Sequence, residues 1–131
     1  REPTSEPLPA IRTPGDLEQY LEPMKHLSEE HFVALHLDAR NQVTGYHVVS
    51  HGTVSSSLVH PREVFKAAIL ANAAAVILVH NHPSGDPMPS QADIDITRQV
   101  KLALEALDMR LHDHLVIGGG KYTSLKSIGV I

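Results

Sequence analysis

The chain contains no cysteine. Disulfides, thiolate zinc knots and a cysteine nucleophile are therefore excluded, and any bound metal has to be held by nitrogen and oxygen ligands. An excess of cations is missing too: 11 Lys and Arg stand against 15 Asp and Glu, for a formal net charge of -4. The basic residues are scattered and form no stripe that would neutralise phosphates, so nucleic acid is a poor partner for this segment alone. No apolar run approaches the roughly 20 residues that cross a bilayer, and the N-terminal residues lack the basic-then-apolar order of a secretory signal. A cytoplasmic location with no membrane attachment is the expectation. No internal repeat is evident.

What is present suits one domain: 131 residues, 42% of them apolar, are enough for one compact core and too few for two. The chain opens on Arg1 instead of methionine, and five of its nine prolines fall in the first 23 residues. Proline-rich polar sequence such as Arg1 to Pro9 cannot bury enough apolar surface to fold by itself. The expectation is a flexible linker over residues 1–12, attached to a domain over 13–131.

Thr13-Pro14-Gly15-Asp16 reads as a helix start, and Leu17, Tyr20, Leu21 and Met24 recur at helical spacing, which predicts a first helix over 15–25 with Pro23 placed to shorten it. Phe32 to Leu37 and Val43 to Ser50 read as strands joined by the turn residues Asp38-Ala39-Arg40-Asn41, an antiparallel hairpin. After Gly52 comes a serine-rich connection. Pro61-Arg62-Glu63 opens a helix ending near Asn72, with Val64, Phe65, Ala68 and Ile69 as its apolar face. Ala74 to Val79 is apolar without alternation, as in a central strand covered on both faces. Ser84 to Pro89 is a constrained loop, and a helix follows from Ser90 to Leu107. Leu111 to Ile117 and Tyr122 to Leu125 are two further strands around the turn Gly118-Gly119-Gly120. This order predicts a mixed α/β sandwich with helices packed on a sheet.

The apolar strand ends in His80-Asn81-His82-Pro83, and ten residues separate His82 from Asp93. Side chains of a strand alternate with a period of two, so both imidazoles reach the same side of the backbone. Ile96, Val100, Ala103, Leu104 and Leu107 mark the buried side of the last helix. Asp93, three residues before Ile96, points from the first turn toward that side, whereas Asp95 points elsewhere. An inward carboxylate is costly unless it is paired or bound to metal. Two imidazoles and one carboxylate leave a coordination position open, the arrangement of catalytic zinc. The competing explanation is a capping box in which Ser90 is the N-cap and Asp93 the acid at the third helical position. It accounts for Ser90 and Asp93 but not for two histidines at the end of an apolar strand.

His80-Asn81-His82-Pro83 followed by Ser90-Gln91-Ala92-Asp93 resembles the JAMM motif of the JAB/MPN metalloprotease fold. His60 to Phe65, Ala73 to Leu78, His80 to Asp86 and Asp113-His114 resemble the bacterial RadC family, so that the likeness extends over Thr13 to Ile131. The resemblance implies a JAB/MPN-like, cytidine-deaminase-like sheet sandwiched by helices, with a small helix-hairpin-helix domain ahead of it. It further implies Zn2+ on His80, His82 and Asp93, a bound water whose pKa falls toward about 7, and a glutamate near the start of the first core strand as general base. Glu30 is the preferred match, with Glu29 and Glu63 as rivals, although an acid in the first turn of a helix also suits Glu63 without catalysis. Ser90 matches the motif serine that hydrogen-bonds the oxyanion. Asn81 either shapes the loop or supports the site from behind its ligands, Pro83 and Gly85 shape the loop that presents the site, and Asp113-His114 is a carboxylate–imidazole pair able to orient a neighbouring group. The activity implied is zinc-dependent hydrolysis of a peptide or isopeptide amide in a peptide or protein substrate. The alternative is a DNA-repair-associated adapter or nuclease with a structural or slow metal site, which the charge balance disfavours.

Overall fold

The computed structural model describes residues 10–52 and 59–131. Residues 1–9 of the expected linker and most of the serine-rich connection lie outside the described residues. Five strands form one sheet in the order β2-β1-β3-β4-β5: β1 (Glu30–Leu37), β2 (Val43–Gly52), β3 (Ala75–Asn81), β4 (Arg110–Gly118) and β5 (Lys121–Ser124). Neighbours are antiparallel except β3 and β4, which run parallel because α3 (Gln91–Ala106) crosses over between them. The expected mixed α/β sandwich is the fold observed.

Strand alternation sorts the sheet's side chains into two cores. Val33, Leu35 and Leu37 of β1 join Ala75, Ile77 and Val79 of β3 on one face, under Leu17, Leu21 and Met24. Phe32 and Ala34 of β1 join Val76 and Leu78 of β3 on the other face, under α2 (Pro61–Leu70) and α3. Residues of β3 are buried throughout, as a continuous apolar run in a central strand requires. His80 pairs with Phe32 across the β1–β3 ladder. Continuing the period of two, His80 and His82 face the helical layer built by α2 and α3.

Four expectations are corrected. The first helix is a single α-turn, α1 (Glu18–Leu21), between two 3₁₀ segments, Pro14–Leu17 and Glu22–His26. Pro23 has no N–H to give and its ring crowds the preceding turn, so a continuous α-helix cannot pass through it. Ile11, assigned to the linker, is 2% exposed, and its N–H donates to the Asn41 carbonyl. The ordered domain therefore includes Ile11. Ile69 and Leu107 were expected on buried faces but are half exposed, 54% and 47%. Val64 and Ala68 are the buried residues of α2, with partly buried Phe65 packed beside them, and the buried stripe of α3 runs through Asp93, Ile96, Thr97, Val100 and Leu104.

Candidate metal centre

The C-terminal end of β3, the start of β1 and the first turn of α3 meet around one cavity. Its lining includes Glu29, Glu30, His80, His82, Ser90 and Asp93. Asp93 is the innermost of these, with 0% exposure. Its two oxygens diverge: Oδ1 lies 3.2 Å from Nδ1 of His80, and Oδ2 lies 3.1 Å from Nε2 of His82. Across the His80 ring, Nε2 is 3.5 Å from Oε1 of Glu30. Ligand atoms of Glu30, His80 and His82 all fall within 4.8 Å of one another, close enough to share a metal ion. Asp93 adjoins this group through contacts with both rings.

The capping explanation for Asp93 is correct but incomplete. Ser90 Oγ accepts from the Asp93 N–H at 3.0 Å, and the Ser90 N–H donates to Asp93 Oδ2 at 2.8 Å. That capping box uses Oδ2 and leaves Oδ1 without a hydrogen bond, and Nδ1 of His80 opposite it is likewise buried and unbonded. Burial raises the pKa of Asp93, but the neighbouring imidazoles of His80 and His82 and the Ser90 N–H outweigh it and hold the carboxyl well below its usual range. A fully buried carboxylate in this state demands a cation nearby.

His82 carries the complementary requirement. Its Nδ1 lies 2.9 Å from the Asp86 carbonyl, which can only accept, so Nδ1 bears the proton. In the neutral ring Nε2 then presents a lone pair to the Asp93 carboxylate. Two lone pairs at 3.1 Å repel unless a proton or a metal ion intervenes. The Asp93 contact accordingly raises the His82 pKa against the opposing effect of burial. A carbonyl that fixes one ring nitrogen and leaves the lone pair of the other to ligate is the usual arrangement of a metal-binding histidine. Together, the orphaned buried atoms and the fixed tautomer fit a divalent ion.

Several supporting residues left no signal in the sequence pattern. Gly118, at the end of β4, packs against the loop carrying Asp86: a Cβ there would lie 2.5 Å from the Asp86 carbonyl carbon and 2.7 Å from its oxygen. Gly118→Ala is expected to push aside the carbonyl that orients His82 and, if the site takes a metal ion, to weaken its binding by roughly 10–100-fold, the usual cost of losing such an orienting partner. Competition with a chromophoric chelator measures this, and wild-type affinity in the variant would mean that the loop yields elsewhere.

Thr97 stands one helical turn beyond Asp93. Its hydroxyl donates to the Asp93 carbonyl at 2.5 Å and receives Nδ1 of His114 at 2.6 Å. The Asp113-His114 pair does not act as a carboxylate–imidazole couple. Asp113 accepts from the backbone N–H groups of His114 and Lys126 and from the Ser124 hydroxyl, while the His114 ring packs against Phe32. Burial, aided by His80, lowers the His114 pKa to about 3. Between that value and the unfolded value near 6.5, the unfolded chain holds one more proton than the folded one. Stability is therefore lost as pH falls from about 6.5 toward 3, by up to about 1.4 kcal/mol per unit for this group. Urea unfolding of wild type against His114→Asn across this range should show the steeper dependence in wild type; parallel curves would contradict the assignment.

Glu63 is not brought to this cavity. It lines a separate groove with His36 and His47 between β2 and α2. Glu29 and Glu30 both border the metal-binding group, but only Glu30 belongs to it.

A model of the family described as the RadC-like JAB domain matches residues 11–130. The chain belongs to the RadC-like JAB domain family. Among curated relatives, a UPF0758 protein of Geobacillus sp. (strain WCH70) is 48% identical over 122 residues, covering 92% of this chain and 54% of the relative. A UPF0758 protein of Desulfitobacterium hafniense (strain DSM 10664 / DCB-2) is 46% identical over 134 residues, covering 100% of this chain and 59% of the relative. One from Geobacillus thermodenitrificans is 50% identical over 122 residues, again covering 92% of the chain and 54% of the relative. The RadC-like chain thus spans little more than half the length of the curated relatives it matches. No helix among its described residues is long and apolar enough to cross a membrane.

Proposed function

We propose that this RadC-like domain is a zinc-dependent hydrolase of JAMM type that cleaves a peptide or isopeptide amide in an extended segment of a protein substrate. The observation that carries the reading is the buried Asp93 carboxylate dividing its two oxygens between His80 and His82, with Glu30 on the far side of the His80 ring. His80, His82 and Asp93 would hold the metal. Asp93 suits the ligand role because it is wholly buried and has an oxygen without a partner. The Glu30 side chain is 28% exposed and reaches into the open cavity, where a proton can enter and leave. It suits the base.

Zinc, when bound, supplies a Lewis acid that polarises the scissile carbonyl and lowers the pKa of water toward about 7. Glu30 takes the proton from the attacking water and returns it to the departing amine. Ser90 Oγ spends a lone pair on the Asp93 N–H, which leaves its own O–H free to donate to the oxyanion. Capping and catalysis therefore use different parts of one hydroxyl. An extended substrate segment has a backbone to pair with at β2, one of the two edge strands of the sheet, whose last residue, Gly52, borders the cavity.

The test is a zinc titration of the purified chain with parallel screening of peptide and isopeptide amides. The expectation is about one zinc per chain and turnover that disappears on chelation and returns with zinc. Absence of zinc binding at micromolar concentrations would refute the proposal.

A further inference from the structure

Asn81 lies between the two histidines, yet its side chain hydrogen-bonds to β1 and its approach. Consecutive residues of β3 face opposite sides of the sheet, and Asn81, 3% exposed, turns away from the metal-binding group. Both ends of its carboxamide are engaged. The oxygen accepts the His31 N–H at 2.5 Å, and Nδ2 donates to the Glu29 carbonyl at 2.9 Å. These two backbone groups flank Glu30 on either side. The β1–β3 register runs only as far as Phe32 opposite His80, so the side-chain amide continues the pairing by one step where the main chain stops.

Glu30 is thereby held from both edges. On one side it pairs with Gly52 of β2; on the other, its neighbours are pinned by Asn81. Only a carboxamide on a one-carbon stem meets both requirements. Aspartate keeps the acceptor but sets an oxygen against the Glu29 carbonyl, and glutamine is a methylene too long.

We infer that Asn81 is the positioning residue for Glu30, an amide clamp that places the glutamate carboxylate against His80 by fixing the backbone on both sides of it. The inference rests on the proposed role of Glu30 at the metal. It assigns the residue between the histidines a task on β1 and none at the ion.

The experiment uses the whole chain loaded with cobalt(II), whose visible d–d spectrum reports the surroundings of the ion. Asn81→Asp and Asn81→Ala are compared with Glu30→Gln and with the Asn81→Asp/Glu30→Gln double variant; the alanine variant serves if the aspartate one fails to fold. The expected result is cobalt affinity within about threefold of wild type and a spectrum altered as in Glu30→Gln, with no further change in the double variant, the sign of two residues acting through one path. Exchange of the His31 amide proton should quicken in Asn81→Ala. Turnover of any amide that the wild type cleaves should fall by on the order of 100-fold, the scale of a misplacement of about 1 Å. A wild-type spectrum in the Asn81 variants, or additive changes in the double variant, overturns the clamp while leaving Glu30 in place. A wild-type spectrum in Glu30→Gln removes the role of Glu30 at the metal, and the clamp falls with it.

Discussion

Asp93→Asn is expected to strip the chain of its metal while leaving the helix that carries it intact. The two functions of Asp93 separate cleanly in this substitution. The carboxamide oxygen of asparagine still accepts the Ser90 N–H, and the Asp93 N–H still reaches Ser90 Oγ, so the start of α3 stays capped. What disappears is the negative charge shared between His80 and His82. Structural zinc sites with four ligands bind with about 10–16 kcal/mol, so one ligand in such a set is worth a few kcal/mol. The zinc dissociation constant should rise by roughly 100-fold to 1,000-fold, as read by chelator competition. The metal-free thermal midpoint should hold within a few degrees, because asparagine keeps both hydrogen bonds of the cap at the start of α3. Affinity within threefold of wild type would reduce Asp93 to a helix cap.

Glu30→Gln is expected to do the reverse. Glutamine has the shape of glutamate but cannot take a proton, so loss of a general base should lower turnover by roughly 10²–10⁴-fold at nearly unchanged zinc content. The substitution also decides between two arrangements that the distances permit. Glu30, His80 and His82 alone satisfy the spacing for a shared ion, whereas Asp93 touches both rings from the buried side. If Glu30 were the third ligand, Glu30→Gln would release the metal and Asp93→Asn would not. Burial favours Asp93, since solvent relieves the charge of a partly exposed glutamate and cannot reach Asp93. Measuring zinc stoichiometry and rate constant on the same preparations separates the cases.

Much of this centre could be anticipated from the sequence because its parts obey local periodicities. His80 and His82 share a face by the period of a strand, and Asp93 shares one with Ile96 by the period of a helix. Glu30 was harder to choose, since the hydrophobic run of β1 begins at Phe32 and does not say that pairing extends two residues further to Gly52. Glu63 competed on sequence context alone. Only the tertiary arrangement assigns it to another groove, which it lines with His36 and His47 and not with His80 or His82. The partners of Gly118, Asn81 and Thr97 were illegible for a shared reason. Each acts across a gap in sequence, on Asp86, on the Glu29–His31 segment or between His114 and the Asp93 carbonyl. No repeat along the chain encodes such contacts. Ile69 and Leu107 show the opposite failure: they fit the helical period but lie at its margin, beyond the reach of the sheet.

The β1–β3 ladder also governs when the metal can arrive. Phe32 pairs with His80 and Leu37 with Ala75, so the chain closes loops of about 40 to 50 residues before Glu30 meets the histidines, and contacts this distant in sequence form slowly. His82 and Asp93 are close enough in the chain to capture an ion early, but that partial site has neither the β1 glutamate nor a burial environment. The folded protein has two continuous cores that need no ion to bring them together. On the proposed metal reading, loading is expected as a late event on a preformed scaffold, and refolding rates should be indifferent to zinc.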